Sequence, residues 1–356
     1  CISAFNGGNA NGGAYAGYVN YLGFQDVSDR KFKTDITYLD SSACLQQTLD
    51  LKPCSYRIIN DPDRERGIGF IAQEVIPVIP EVVSEDGTGA YGLGYGHLTA
   101  TLSGAVQELN KKIDEFAKGL LGNRSDLQEE RVAFYIPASC DYVTTMHGIW
   151  RAGGIAIPLN VASAVSELEH YLTSAKVTKM IACGDYKASL SELCLTLGIE
   201  LIDVQGILDK NEGQNLPTID PSRRAMMLFT SGTTNKPKGV VSSHKIINSQ
   251  ITTLADAWEW TSEDDIPLFL PLHHIHGIVN ILSCGLWAGA TIDLYQSFDM
   301  SKICDSVAAG RYNLFMAVPT IYVKLIKYFE TLPAEKTYEI CRGFSDMRLN
   351  ISGSAA

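Results

Sequence analysis

No stretch of the chain approaches the run of about eighteen unbroken apolar residues that a membrane-spanning helix needs. The first residues lack a basic segment followed by an apolar one, so no targeting peptide is read there. Basic residues never cluster beyond a pair, and 40 acidic against 29 basic side chains leave a net charge of −11. That balance argues against a duplex-binding surface, which must neutralise phosphates, so nucleic acid is not expected as a partner. Small anionic substrates stay open because they need only a local cluster. The nine cysteines are odd in number and never spaced C-x-x-C, which gives neither a disulfide framework nor a zinc site. A reducing, intracellular setting follows, cytoplasmic or mitochondrial. Position 1 holds Cys1 in place of methionine, and the sequence closes on ISGSAA, so both ends are expected to be cut.

What is present falls into distinct textures. At 356 residues, two or more domains are the natural expectation. Residues 1–27 carry GGNANGG and then YAGYVNYLGF, which read as a β-rich fragment with turns. Residues 28–117 keep an irregular character, with turn signals at NDPD and EDGTG, until a helix over residues 97–117. In that helix Leu98, Leu102, Ala105, Leu109 and Phe116 follow a heptad seam that could pair with copies of itself, or pack on its own domain. Residues 118–356 alternate apolar runs such as RVAFYIP, GGIAIPL, KMIAC, ELIDV and AMMLF with helical patterns. This larger part is therefore expected to be α/β, with a mostly parallel sheet covered on both faces, behind a small mixed α+β domain. Ser139 should cap a helix carrying Tyr142, Met146, Ile149 and Trp150 on one face.

The segment LFTSGTTNKPKG, residues 228–239, ends an apolar strand in hydroxyls, two glycines and two lysines, and is expected to lead into an amphipathic helix. Unblocked backbone N–H groups, hydroxyl donors and Lys236 and Lys238 suit phosphate oxygens. The loop is not a P-loop, since G-x-x-x-x-G-K-[ST] does not occur in it. His273, His274 and His276 in PLHHIHG invite a metal reading, but adjacent rings do not easily share one tetrahedral ion and no acidic residue lies nearby. No metal ligands are assigned.

TSGTTNKPKG resembles the phosphate-binding signature of adenylate-forming enzymes, the acyl-CoA synthetase, luciferase and adenylation-domain group, with Asn235 where glycine is usual. PLHHIHGIVN, FMAVPTIY and RLNISGS stand where that family carries its acyl and nucleotide pockets, and the set is most similar to the malonyl-CoA synthetase branch. The resemblance implies part of the N-terminal domain of such an enzyme over residues 118–356. It implies ATP, magnesium and coenzyme A, with a small carboxylate such as malonate as substrate. Thr230, Ser231, Gly232, Thr233, Thr234, Lys236, Lys238 and Gly239 would hold the phosphates. Gly353, Ser354 and Ala355 would face adenine, and His276 the acyl or adenylate site. Arg151 or Arg311 could pair a second substrate carboxylate. The family's magnesium glutamate and C-terminal lysine domain come after the last residue here, so this chain alone is expected not to turn over.

SDRKFKTDI, LKPCSYRI, GIGFIAQEV and PEVVSEDG resemble the intramolecular chaperone domain of phage tail spikes, which trimerises and then cleaves itself. By that resemblance Ser28 and Lys33 are the self-cleavage pair, and the helix over 97–117 would build a homotrimer. A lysine serves as base for a serine only where burial lowers its pKa. Three readings stand: a partial acid–CoA ligase, a self-cleaving trimeric chaperone, and two unrelated sequences joined by an erroneous gene model.

Overall fold

The computed structural model describes residues 34–52, 54–56, 67–209, 215–230 and 236–353. Ser28, Lys33, Ser231, Gly232, Thr233, Thr234, Asn235, Ser354 and Ala355 lie outside them, as do residues 1–27.

The first described helix, α1 (Ser41–Asp50), starts where the Asp40 carboxylate accepts from the amides of Ser42 and Ala43. Two three-residue antiparallel ladders follow, β1 (Cys54–Tyr56) with β2 (Gly67–Gly69), and β3 (Val83–Glu85) with β4 (Tyr91–Leu93). The EDGTG turn joins the second pair, and Asp86 closes it by accepting from the amides of Thr88 and Ala90. A small core of Val75, Ile79, Val82 and Leu98 lies beneath.

Helix α2 (Tyr95–Leu121) is longer than the expected 97–117 and runs through the expected boundary at 117/118. Its buried side is not the heptad seam. Leu98, Ala105 and Phe116 are buried, but Leu102 is 46% exposed and Leu109 half-buried. The buried set is Leu98, Thr101, Gly104, Ala105, Glu108, Ile113, Phe116, Ala117, Gly119, Leu120 and Leu121, mostly the three-and-four spacing of a helix packed on its own chain. α1 dictates this over the first half: a Cβ at Gly104 would sit 2.7 Å from Cys44 Sγ, and Ser41 Oγ donates to Glu108 at 2.8 Å. In the second half Phe116, Ala117, Leu120 and Leu121 enter the largest core of the molecule.

The central sheet has six strands in the order β10-β9-β6-β5-β7-β8. These are β5 (Arg131–Tyr135), β6 (Ile155–Pro158), β7 (Lys179–Ala182), β8 (Glu200–Asp203), β9 (Arg224–Thr230) and β10 (Lys238–Ser243). All neighbours pair in parallel except β9 with β10. Successive residues of β5 point to opposite sides, Val132 and Phe134 into one core, Ala133 and Tyr135 into the other. A strand with two buried faces has no place for polar residues, which is why it reads as a continuous apolar run. The crossover helices are α3 (Cys140–Arg151), α4 (Val165–Ser174), α5 (Asp185–Leu197) and α6 (Val204–Leu208). The Tyr142 amide donates to Ser139 Oγ at 3.3 Å, which is the expected cap, and Trp150 Nε1 donates to the Ala225 carbonyl at 2.7 Å.

The expected helix does not follow the 228–239 loop directly. KGVVSS forms strand β10, and α7 (His244–Ala257) begins only after it, capped by Ser243. Beyond lie two parallel pairs, β11 (Asp265–Leu268) with β12 (Thr291–Leu294) and β13 (Leu314–Ala317) with β14 (Leu349–Ser352). Asp264, 1% exposed, ties them: Arg348 donates to both of its oxygens and Asn313 to one. Removing one partner of a buried ion pair strands the other charge. Arg348→Leu should therefore cost about 3 kcal/mol in chemical denaturation, whereas a loss below about 1 kcal/mol would mean that Asn313 and the Thr261 amide, which donates at 2.8 Å, satisfy Asp264 without it. Helix α8 (Pro319–Phe329) follows β13, and no helix of the described residues is long and apolar enough to cross a membrane.

Candidate functional site

Strand β9 is buried from Ala225 to Leu228 and reaches the surface at Thr230; β10 returns antiparallel to it, with Lys238 opposite Thr230 and Gly239 opposite Phe229. Residues 231–237 are therefore the connection of a hairpin whose two ends are fixed side by side. Lys236 and Lys238 are exposed there. Gly239 is demanded by packing, since a Cβ would meet Met227 Sδ at 2.8 Å.

Beside the hairpin opens a cavity of about 610 Å³. Its walls come from distant segments: Leu228 to Thr230 of β9, Val240 and Ser242 of β10, Phe269 to Pro271 and His273 to Gly277 after β11, Phe298, and Val318 and Ile321 at the start of α8. Among the described residues, only Thr230, Ser242 and three histidines bring polar side chains to this mostly apolar lining. The histidine segment is held from below by Tyr142, fully buried, whose hydroxyl donates to the Leu272 carbonyl at 2.6 Å.

His276 is 4% exposed, and neither ring nitrogen has a hydrogen-bond partner among the described residues. It opens a π-helical segment, His276–Ser283, a distortion that often marks functional sites. Burial holds His276 and His274 below the ordinary imidazole pKa. His273 is pushed down to about 4, by burial first and by His274 second, their rings lying 4.0 Å apart. Near neutral pH these side chains are uncharged donors and acceptors. Among the described residues no group of three His, Cys, Asp or Glu side chains could hold a metal ion.

The same shifts set a pH dependence. His147, with a shielded and unpartnered Nε2, is also depressed to about 4 by burial. Between about pH 6.5 and about pH 4 the unfolded chain takes up protons that folded His147 and His273 refuse, so stability falls with acidification across that window. Asp265 opposes this, because burial raises its carboxyl to about 6 and the folded state gains its proton first. Thermal midpoints at about pH 7.5 and about pH 5 should drop on acidification, more steeply in Asp265→Asn. An equal slope in that variant would remove Asp265 from the balance.

Of the expected site residues that are described, Thr230 and His276 line the cavity, and Lys236, Lys238 and Gly239 lie on the hairpin beside it. Gly353 follows β14, and its amide donates to the Ala317 carbonyl at 3.2 Å, next to the cavity residue Val318. His273 and His274 join the site as well, although adjacency in sequence alone made them an argument only about metal. Neither arginine expected at a second carboxylate lines this cavity. Arg311 pairs with Asp293 at 3.1 Å, and Arg151 pairs with Asp114 and Asn110 of α2. All three partners are distant in sequence and invisible before folding.

Comparison with known proteins bears on this arrangement. Residues 103–356 match the family described as AMP-binding enzyme, and residues 28–84 match the one described as chaperone of endosialidase. The mitochondrial malonate–CoA ligase ACSF3 of Homo sapiens is 36% identical over 245 residues, covering 65% of this chain and 42% of that protein. Its counterpart from Xenopus laevis is 38% identical over 266 residues, covering 70% and 45%. Among solved structures, ATP-bound MatB from Rhodopseudomonas palustris superposes with a TM-score of 0.57 at 27% identity, covering 77% of this chain and 52% of that one. The chain thus spans less than half the length of these two curated relatives. With more than half of its residues matched, and with the hairpin and cavity lying inside the matched region, the chain belongs to the AMP-binding enzyme family.

Proposed function

We propose that residues 103–356 are the nucleotide-binding part of an ATP-dependent acid–CoA ligase, and that its acid is malonate or another short carboxylate. The observation that carries this is the pairing of Thr230 with Lys238 at the edge of a cavity that buries an unpartnered His276. In the reaction of such a ligase, a carboxylate oxygen displaces pyrophosphate from the α-phosphorus of ATP, and the thiol of coenzyme A then displaces AMP from the acyl carbon. That chemistry asks the protein chiefly to position reactants and to stabilise charge. Thr230, Ser231, Gly232, Thr233, Thr234, Lys236, Lys238 and Gly239 would hold the β and γ phosphates, charge-compensated by magnesium. Gly353, Ser354 and Ala355 would face the adenine. His276, neutral and without a partner, would donate to the acid or to the nucleotide, and the apolar wall would exclude water.

The test is ligand-induced stabilisation of the full chain, which follows mass action. Malonate added with ATP should raise the thermal midpoint beyond ATP alone, and acetate at the same concentration should raise it less. Equal shifts would set the dicarboxylate preference aside.

The N-terminal match favours a second reading for its own segment, because it begins at Ser28. There Ser28 and Lys33 would cleave the preceding bond, and Leu102 and Val106, exposed on α2, would contribute to a homotrimer. Mass spectrometry of the purified chain should find a fragment starting at Ser28 that is lost in Ser28→Ala. A chain that stays whole in the wild type would end this reading.

A further inference from the structure

Helix α4 has no place in the cavity wall, yet it touches both arms of the hairpin. Leu168 and Leu172, 2% and 1% exposed, press it onto the sheet, and the Glu167 carboxylate accepts from the Ala164 amide at 3.2 Å to fix its first turn. This leaves His170 and Tyr171 on the flank facing β9 and the loop. The Tyr171 ring packs on Phe229 with centroids 4.5 Å apart, and the His170 ring meets the same phenyl edge-on at 6.5 Å. Across the hairpin, His170 Nε2 lies 2.9 Å from the Pro237 carbonyl oxygen. A carbonyl only accepts, so Nε2 carries the proton and donates. Proline has no N–H, which makes that carbonyl the one backbone group by which Pro237 is held. Phe229 directly precedes Thr230, and Pro237 directly precedes Lys238.

We infer that His170 is a positioning residue of the nucleotide hairpin: its Nε2–H holds the Pro237 carbonyl and so pins the entry to β10, where Lys238 pairs with Thr230. This rests on the nucleotide-site reading above and adds to it a residue more than fifty positions upstream that touches no ligand. Its contribution is that of one hydrogen bond at a hinge. With Pro237 freed, the Thr230–Lys238 end of the ladder frays more often, and the observed affinity falls in proportion to the fraction competent to bind.

The experiment compares His170→Phe, which keeps a ring against Phe229 but cannot donate, with His170→Gln, which restores a donor. Affinity of the full chain for ATP is read by calorimetry, and hydrogen exchange is followed over residues 231–240 without nucleotide. In His170→Phe, ATP affinity should fall about two- to tenfold and the loop amides should exchange faster, with an unchanged thermal midpoint. His170→Gln should recover most of both. Wild-type affinity and exchange in His170→Phe would overturn the inference. So would a lowered midpoint that His170→Gln fails to rescue, which would assign His170 to packing. Failure of the underlying reading looks different: the wild-type chain itself would not bind ATP, and the positioning role would fall with it whatever the exchange data show.

Discussion

Lys238→Ala should weaken ATP binding to the chain by about ten- to a hundredfold, the range expected when one charge-assisted hydrogen bond is lost. The first residue of β10 is exposed, and among the described residues no carboxylate pairs with it, so its ammonium is not committed to structure. Opposite it stands Thr230, which lines the cavity, so a triphosphate lying over the end of this strand pair would meet a hydroxyl from one strand and a cation from the other. Lys245, exposed on α7, is the control for a general effect of charge. Removing it should leave affinity within about twofold at moderate salt, where distant surface charges are screened. Calorimetry on both variants decides the matter. Equal losses would mean diffuse attraction, and no loss in either would take the hairpin out of nucleotide binding.

Gly119→Ala should destabilise the chain by about 3 kcal/mol and lower the thermal midpoint by about 4 °C. Two effects compete at this helical position. Alanine is favoured over glycine inside a helix by about 1 kcal/mol, which alone would make the variant more stable. Against that, a Cβ at Gly119 would overlap the carbonyl oxygen of Ile207 and lie 2.9 Å from its carbonyl carbon. Backbone cannot rotate aside as a side chain can, so α2 and α6 would have to separate and open the core around Ile207, which is 1% exposed. Overlap wins by this arithmetic. Gly206 supplies the contrast in α6 itself, since its nearest neighbour to a Cβ is Asp203 Cβ at 3.8 Å. Gly206→Ala should be neutral or mildly stabilising. A Gly119→Ala variant at or above wild-type stability would show that the two helices are not in close approach.

Much of the α/β part could be read directly from sequence because burial on both faces leaves long apolar runs. RVAFYIP, KMIAC and AMMLF all contain strands of the central sheet. KGVVSS escaped that reading for the converse reason. It is the edge strand, with Val240 52% and Val241 39% exposed, so its composition is mixed. The seam of α2 misled because heptad and helical periods agree over two turns and then drift apart, and only α1 shows which face is taken. At the site, the loop and His276 were readable as local motifs. Phe298 and Ser242 were not, since nothing near them in sequence announces a shared cavity. His170 was equally silent, its partner lying 67 positions away.

The pairing of Thr230 with Lys238 also makes the hairpin a unit of exchange. The connection at 231–237 begins and ends at neighbouring points of one sheet edge, so its length and composition are free variables for grafting between related enzymes. Register is not free. Inserting a single residue at the start of β10 would turn Lys238 to the opposite face and bring a side chain against Met227 where Gly239 now leaves room. Chimeras that swap the loop between its two anchors should keep their fold, and those that cut one residue inside β10 should lose it.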